Sequence, residues 1–571
     1  MMRNLKSIFI HGLMVLTILA CGSTQTVTQT SPATNNTAEP EARTSPEVSD
    51  KMVARQSEMS ADEINNWPHM DIHTDSVPGL SLAKAYEFVS GKEGKTVIVG
   101  VIDSGVDIEH EDLKNEVWVN EDEIIGNNKD DDNNGYVDDI NGWNFLGGEK
   151  GADNPEQLEL TRIVKKWMPR FDGKTAETVD AKDAEDFKLY QKLKKIVDDK
   201  SANASNQVMQ YAAIKDFVAK ANDTLIKVIG KNEYNINEAN GVTLAEPRLM
   251  QGKMIIMRIL DGGDTVPMAL DQLGEIVDHY SNQLNAQYKI DFNGRVAGDN
   301  PYDINDRNYG NGYVIGSKKT ESHGSHVSGI IAATRNNDLG MNGVAHNVKI
   351  MALRAVPDGD EYDKDIALAI RYAVDNGAKV VNMSFGKSYS PNAEWVYEAI
   401  KYAAEKDVLL VHAAGNDASD IDTAENFPND SKDKNVEFAD NVLTVGAMTR
   451  HYDERLVASF SNYGKKNVDV FAPGLEIYST FPADTYEISQ GTSMAAPEVA
   501  GVAALIRSYY PTLTANQVKK VIMESGIPYD GPVLLPGSET EKVPFKDLSV
   551  SGKIVNAYKA LKMAEELANK S

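Results

Sequence analysis

Cysteine is almost absent from this chain. Cys21 is the only one among 571 residues, so no disulfide can form within the chain and its stability must come from packing, charge or bound metal. Basic side chains are also in deficit. Lys and Arg number 58 against 85 Asp and Glu, a formal charge of −27. Such a surface repels phosphate backbones, which argues against a nucleic-acid partner. It suits a soluble extracytoplasmic protein and the capture of hard cations. The leading apolar stretch, Ile8 to Ala20, is too short to span a bilayer comfortably. Hydrophobic residues at 41%, with 5 Trp, 23 Tyr and 14 Phe, are still enough to fill a sizeable core, and the length allows two or three domains or one large domain with insertions.

Arg3 and Lys6 ahead of that apolar stretch read as a signal peptide over residues 1–20. It closes on Ile18-Leu19-Ala20-Cys21, which resembles a bacterial lipobox. The lone thiol falls at the one position that would use it, so Cys21 is expected to carry lipid and anchor the protein to a membrane of the cell envelope, on the extracytoplasmic side (outer membrane or cell surface). Residues 21–67 are expected to form the lipidated N-terminus and a flexible tether. From Gly22 to about Asp50 the segment is Ser, Thr, Asn, Gln, Pro and Glu in the main, too polar to order itself.

Next come continuous β-branched runs: residues 95–103, 348–356, 378–386, 407–416, 441–448 and 468–474. Runs of this kind are strands buried on both faces. Amphipathic stretches between several of them, such as Asp363 to Asn376 and Asn392 to Lys406, predict a doubly wound, mostly parallel α/β sheet over 68–149 and 301–571. In such sheets ligands bind outside the carboxyl ends of strands, where Asp103 and Asn416 fall. Residues 150–300 break the alternation. Phe187, Tyr190, Leu193 and Val197 share one helical face, and Tyr211, Ile214, Val218, Ala221, Leu225 and Val228 recur every three or four residues. A third helical stretch is expected from about Ala269 to Gln287. The segment reads as an inserted helical subdomain whose apolar stripes form its own core.

Three motifs carry chemistry. VIDSGVDIEHEDL (101–113) holds Asp103 at a strand end, HGSHVSGIIAA (323–333) opens a small-residue helix with His323, and GTSMAAPEVAGVAALI (491–506) opens another with Ser493. A serine hydroxyl is a weak nucleophile until an imidazole takes its proton, and the imidazole needs a carboxylate to fix its tautomer. In the order Asp, His, Ser these motifs resemble the subtilisin family of serine endopeptidases. The resemblance covers most of residues 80–150 and 305–570.

It implies a subtilisin-like fold and an Asp103–His323–Ser493 triad acting through an acyl-enzyme. It also implies Asn416 as the oxyanion-hole amide, a structural role for His326, and protein or peptide substrates. Ser384, Phe385 and Gly386 match the family's backbone edge for an extended peptide, with Gly359 to Tyr362 as the opposite rim. Ala413, Ala414 and Gly415 would bound the S1 pocket, with Asp417 at its mouth and Asn426 at its base, hinting at polar or basic P1 residues. The alternative is a catalytically idle scaffold of the same fold that uses the insertion for recognition.

Calcium is the expected cofactor. Asp130, Asp132, Asn134 and Asp138 alternate around Gly135 as in an EF-hand-like loop, but position twelve is Asn141, so another ligand such as Asp139 is needed. Asp112 and Asn337 match a calcium site common in the family. Two departures stand out. Asp103 and His323 lie far apart in sequence because of the insertion, and the room between Cys21 and Pro68 is short for the family's folded propeptide.

Overall fold

The computed structural model describes residues 52–570. Cys21, the leader and the tether up to Lys51 lie outside the described residues. The β-branched runs become strands β1 (Val97–Asp103), β3 (Val348–Arg354), β4 (Val380–Met383), β5 (Leu409–Ala413), β6 (Val442–Met448) and β7 (Val470–Pro473), joined by a short edge strand β2 (Gly142–Asn144). Their order from one edge is Ile527–Pro528, Lys553–Ile554, β7, β6, β5, β4, β1, β3, β2. All pairings among β1 to β7 are parallel. This is the mostly parallel α/β sheet the runs predict, and burial on both faces explains why those runs show no polar alternation.

Alternate side chains feed two cores. Val99 and Val101 pack with Val327 and Val499 from the helices His323–Ala332 and Thr492–Tyr509, while Ile102, Leu353 and Met383 pack with Ile366 and Ile400 from the helices Asp363–Asp375 and Ala393–Glu405. β1 lies between β3 and β4, so the strand order reverses beside it. The crevice at such a switch point lies at the carboxyl ends of the strands, and Asp103 is the last residue of β1.

The chain divides into two compact units, the residues 202–282 and the remainder of the described chain. Residues 202–282 have their own core of Val218, Ala221, Leu225, Ile256, Ile259 and Leu273. The two stripes expected at 184–199 and 211–228 belong to one continuous helix, Ala184–Ile229. Two further helices, Glu159–Phe171 and Pro247–Asp261, were not anticipated; Pro169 and Gly252 mask their periodicity. In the larger unit, Glu159–Phe171 packs Ile163, Val164 and Phe171 against Phe187, Tyr190 and Leu193.

Packing also begins earlier than Pro68. Ser60 caps the short helix Ala61–Asn66 with a reciprocal bond to Glu63, and Trp67 is fully buried, its Nε1–H donating to Leu475 O at 3.2 Å. Residues 52–67, read above as tether, therefore join the domain. Among the described residues no helix is long and apolar enough to cross a membrane.

Candidate active site

Asp103 is 1% exposed at the end of β1. Its Oδ1 accepts the Ser104 N–H at 2.7 Å and the Nδ1–H of His323 at 2.7 Å, across 220 residues of chain. A carboxylate can only accept, so the neutral imidazole carries its proton on Nδ1 and leaves Nε2 as an acceptor. His323 opens its helix with a side chain 40% exposed. Desolvation works against its charged form, but the Asp103 charge and hydrogen bond outweigh it and raise the pKa above 6.5. His326, one turn on, is different. Its Nε2–H donates to Ile477 O and Glu487 O at 3.1 and 3.2 Å, and burial, helped by His323, drives its pKa down to about 3. It is a neutral strut.

Ser493 lies in the first turn of Thr492–Tyr509 and is half-buried. Its Oγ–H donates to Ser384 O at 3.2 Å, and Ser384 Oγ–H donates to Ser493 O at 2.9 Å. This reciprocal pair locks the helix start to the segment after β4. The hydroxyl is therefore bonded to Ser384 rather than to the imidazole.

Asn416 follows β5 and is exposed. Its Oδ1 accepts both the N–H and the Oγ1–H of Thr492, at 2.9 and 3.0 Å. With the oxygen engaged, Nδ2 remains as the free donor. Thr492 Oγ1 in turn accepts the Gly415 N–H at 3.0 Å. Gly415 has φ +99°, and a Cβ there would come within 2.4 Å of Asn462 Nδ2, so only glycine fits. Asn462 Oδ1 accepts the Asp417 and Ser419 N–H groups, and its Nδ2 donates to Ala414 O. Thr492 and Asn462 hold Asn416 and the turn after it, and the sequence reading missed them. Thr492, beside the nucleophile, was open to discovery; Asn462 lies far along the chain and gave no signal.

A carboxylate–imidazole pair, a serine at a helix start and an amide aimed by its neighbour form a recognisable set. The Peptidase_S8 model, described as the subtilase family, matches residues 94–533. The chain belongs to the subtilase family.

A thermophilic serine proteinase of Bacillus sp. (strain AK1) is 43% identical over 188 residues, 33% of this chain and 43% of that protein. Thermitase of Thermoactinomyces vulgaris is 38% identical over 219 residues, 38% of this chain and 70% of that protein. A solved protease structure from Pseudoalteromonas arctica shares 30% identity, covering 42% of this chain and 70% of that one, with a TM-score of 0.35. The chain thus spans less than half the length of the first of these relatives.

The remaining expected residues of this subtilase fall as follows. Ser384, Phe385 and Gly386 continue from β4. Phe385 is buried in the core and its O accepts the Nε2–H of His412 at 2.9 Å, so only its backbone could meet a peptide. Burial lowers the pKa of His412 to about 4, which keeps this support neutral. Ala413 and Ala414 are buried, whereas Asp417 is exposed. Asn426 Nδ2 donates to Ala414 O, and its Oδ1 would lie 3.5 and 3.7 Å from a Cβ on Gly386 or Gly415. Asn426 therefore lies between the two walls of the expected S1 pocket.

The segment expected to form the opposite rim is bound to the inserted segment. Glu156 N–H donates to Asp358 O, and Asp358 N–H to Asn154 O, at 3.1 and 3.0 Å. Arg162 Nη1–H donates to Asp360 O at 2.9 Å and Nη2–H to Glu159 Oε2 at 2.6 Å. Lys387 Nζ, 2% exposed, meets Glu159 at 3.1 Å, Asp363 at 2.8 Å and Glu361 O at 2.7 Å.

In the acidic loop, Glu123, Asp130 and Asp132 place carboxylate oxygens within 4.8 Å of one another. Glu123 was not anticipated; it comes from before the loop, and its carboxylate also accepts the Asp131, Asp132 and Asp138 N–H groups. Asp138 turns elsewhere, its oxygens accepting the Gly126 and Asn128 N–H groups at 2.9 Å. Asn134 Nδ2–H donates to Asp132 Oδ2 and Asp139 Oδ2, and fully buried Asp139 accepts from Tyr372 OH at 2.5 Å. Burial, with Asp132 nearby, raises the Asp139 pKa. Converging acids of this kind fit a hard dication, which relieves their repulsion. At the second expected site Asn337 Nδ2–H donates to Asp112 Oδ1 at 2.7 Å, and burial raises the Asp112 pKa.

Proposed function

We propose that this subtilase is a serine endopeptidase that hydrolyses peptide bonds through an acyl-enzyme. The observation that carries this reading is the 2.7 Å Asp103–His323 bond, together with the packing of the His323–Ala332 helix on the helix that bears Ser493. For attack, Ser493 Oγ leaves Ser384 O and passes its proton to His323 Nε2 as it bonds to the scissile carbonyl carbon. The oxygen, now negative, takes hydrogen bonds from Asn416 Nδ2 and the Ser493 N–H at the positive end of the helix. The imidazolium, stabilised by Asp103, gives its proton to the leaving amine as the C–N bond breaks. Water then repeats the sequence on the ester, with His323 again as base. Labelling by a fluorophosphonate that vanishes in Ser493→Ala tests this directly. Absence of labelling in the wild type would favour the idle scaffold instead.

Substrates are proteins or extended peptides, with polar or basic P1 residues favoured by Asn426 and Asp417; a P1 library preferring large apolar residues would refute that preference. Calcium would be held by Glu123, Asp130, Asp132 and neighbouring oxygens, and by Asp112 and Asn337, where it supplies charge neutralisation and rigidity rather than chemistry. Calcium at 100 times its Kd would then add about 2.7 kcal/mol of stability, and a Tm indifferent to chelation would remove both sites. The lipobox-like Cys21 supports an extracytoplasmic, lipid-anchored location; fatty-acid labelling that persists in Cys21→Ala would refute it.

A further inference from the structure

The acidic loop carries side chains that cation capture does not need. Ile124 and Ile125, directly after Glu123, are 63% and 79% exposed. Val137 and Tyr313 are exposed as well. Lone apolar side chains at a surface are ordinary, but these four belong to one braced turn. Ile124 N–H donates to Asp131 Oδ2 at 3.1 Å, and Asp138 accepts the Gly126 and Asn128 N–H groups at 2.9 Å. Two carboxylates thus fix the backbone on either side of Ile125. Val137 precedes Asp138. Gly312, before Tyr313, lies so close to Asp138 that a Cβ there would come within 2.4 Å of Asp138 O.

Size and charge narrow what could cover this tip. A specific protein interface buries about 800 Å² on each side, and four partly exposed side chains offer less. A surface to which the chain is already tied asks for less area. On the lipid-anchor reading that surface is a bilayer holding Cys21, and the roughly 30 residues between Cys21 and Met52 reach at most about 100 Å. Tethering of this kind makes docking an intramolecular step at a roughly millimolar effective concentration, so weak burial suffices. Charge sets the condition. Between Glu121 and Asp138 stand seven acids and one lysine, which keep the tip away from lipid phosphates. A dication held by Glu123, Asp130 and Asp132 lowers that repulsion.

Building on the lipid-anchor reading, we propose that the Ile124–Ile125 turn is a calcium-dependent bilayer contact, with the two isoleucines entering the boundary between headgroups and acyl chains. Apolar side chains buried at that depth, added to a lipid anchor, give the two signals that stable membrane attachment needs.

The test uses the chain from Gly22 onward, which keeps every described residue and lacks the anchor, with an excess of vesicles of mixed phosphatidylcholine and phosphatidylglycerol. The protein should sediment with the vesicles in calcium and stay in solution with chelator. Ile124→Ser and Ile125→Ser should each weaken binding about tenfold, the low end of what burying one such side chain confers, with the Tm unchanged. Ile125→Trp should strengthen binding, since an indole suits the interface, and should keep its calcium dependence, which a misfolded chain would not. Binding that ignores calcium, or that both serine variants leave intact, overturns the contact. Self-association in calcium in place of vesicle binding also overturns it and makes the occupant a second copy. Fatty-acid labelling of the full chain separates the two readings. Lipid on Cys21 without vesicle binding removes the contact alone, and calcium-dependent binding without lipid on Cys21 removes the anchor alone.

Discussion

Two regions of the molecule treat charge in opposite ways. At the proposed catalytic residues valences are left open. Asp103 Oδ2 is buried without a partner, His323 Nε2 has no donor bonded to it among the described residues, and Asn416 keeps Nδ2 free. At the rim, Lys387 is enclosed by Glu159, Asp363 and Glu361 O, and Arg295 bridges Asp299 and Asp365 at 2.6 and 2.9 Å. The contrast separates chemistry from scaffold. The groups proposed to exchange protons keep an open valence, while the groups that tie the insertion to the proposed substrate rim have their charge neutralised on several sides. Losses at the rim should therefore appear as stability, and losses at the proposed catalytic residues as rate.

The rim makes the larger prediction. Lys387→Met leaves Glu159 and Asp363 buried with less compensation, and breaking a buried pair costs about 3–5 kcal/mol. Denaturant unfolding should show that loss; a variant as stable as the wild type would dissolve the contrast. Asn416→Ala is the counterpart. It should lower kcat about 10²–10³-fold, a size known from another subtilase rather than from this geometry, with the unfolding midpoint little changed. A large stability loss with normal turnover would reverse the assignment. A smaller step is expected from Thr492→Val, which deletes the hydroxyl that aims Asn416 and receives Gly415 N–H. One neutral hydrogen bond is worth about 1 kcal/mol, so kcat should fall about five- to tenfold with KM nearly constant. If KM rises instead, Thr492 shapes the substrate pocket and does not position the amide.

The comparison also explains what could be read from sequence. The proposed catalytic residues stand out in sequence because each sits in a local motif at the end of a strand or helix: Asp103 after a β-branched run, His323 and Ser493 opening small-residue helices, Asn416 after β5. The strands were legible for the same reason. The rim was hidden because its partners are distant, Lys387 and Glu159 being 228 residues apart, and a buried lysine looks like a surface lysine in sequence. Glu123 escaped notice because it precedes the loop it joins, and Asp138 has the spacing of a ligand while its oxygens cap another turn.

The smallest effect tests the contrast at its boundary. Glu498 lies five residues after Ser493 on the same helix, 1% exposed, with Oε2 unpartnered. Burial raises its pKa well above 4.5, so the folded protein holds this proton more tightly than the unfolded chain. The stabilising proton is fully present below the unfolded value of 4.5 and is lost as pH rises through the folded pKa. Glu498→Gln keeps the shape and cannot ionise. Its melting temperature should match the wild type near pH 4 and exceed it by a margin that widens with pH above 4.5, while the pH dependence of kcat/KM, which the proposed base His323 would set, stays in place. A margin independent of pH would mean that Glu498 is paired in solution. A shifted kcat/KM profile would place Glu498 with the groups that serve the reaction, and the division between vacancy and enclosure would need a third class: a buried acid that communicates with the imidazole from the nucleophile's own helix.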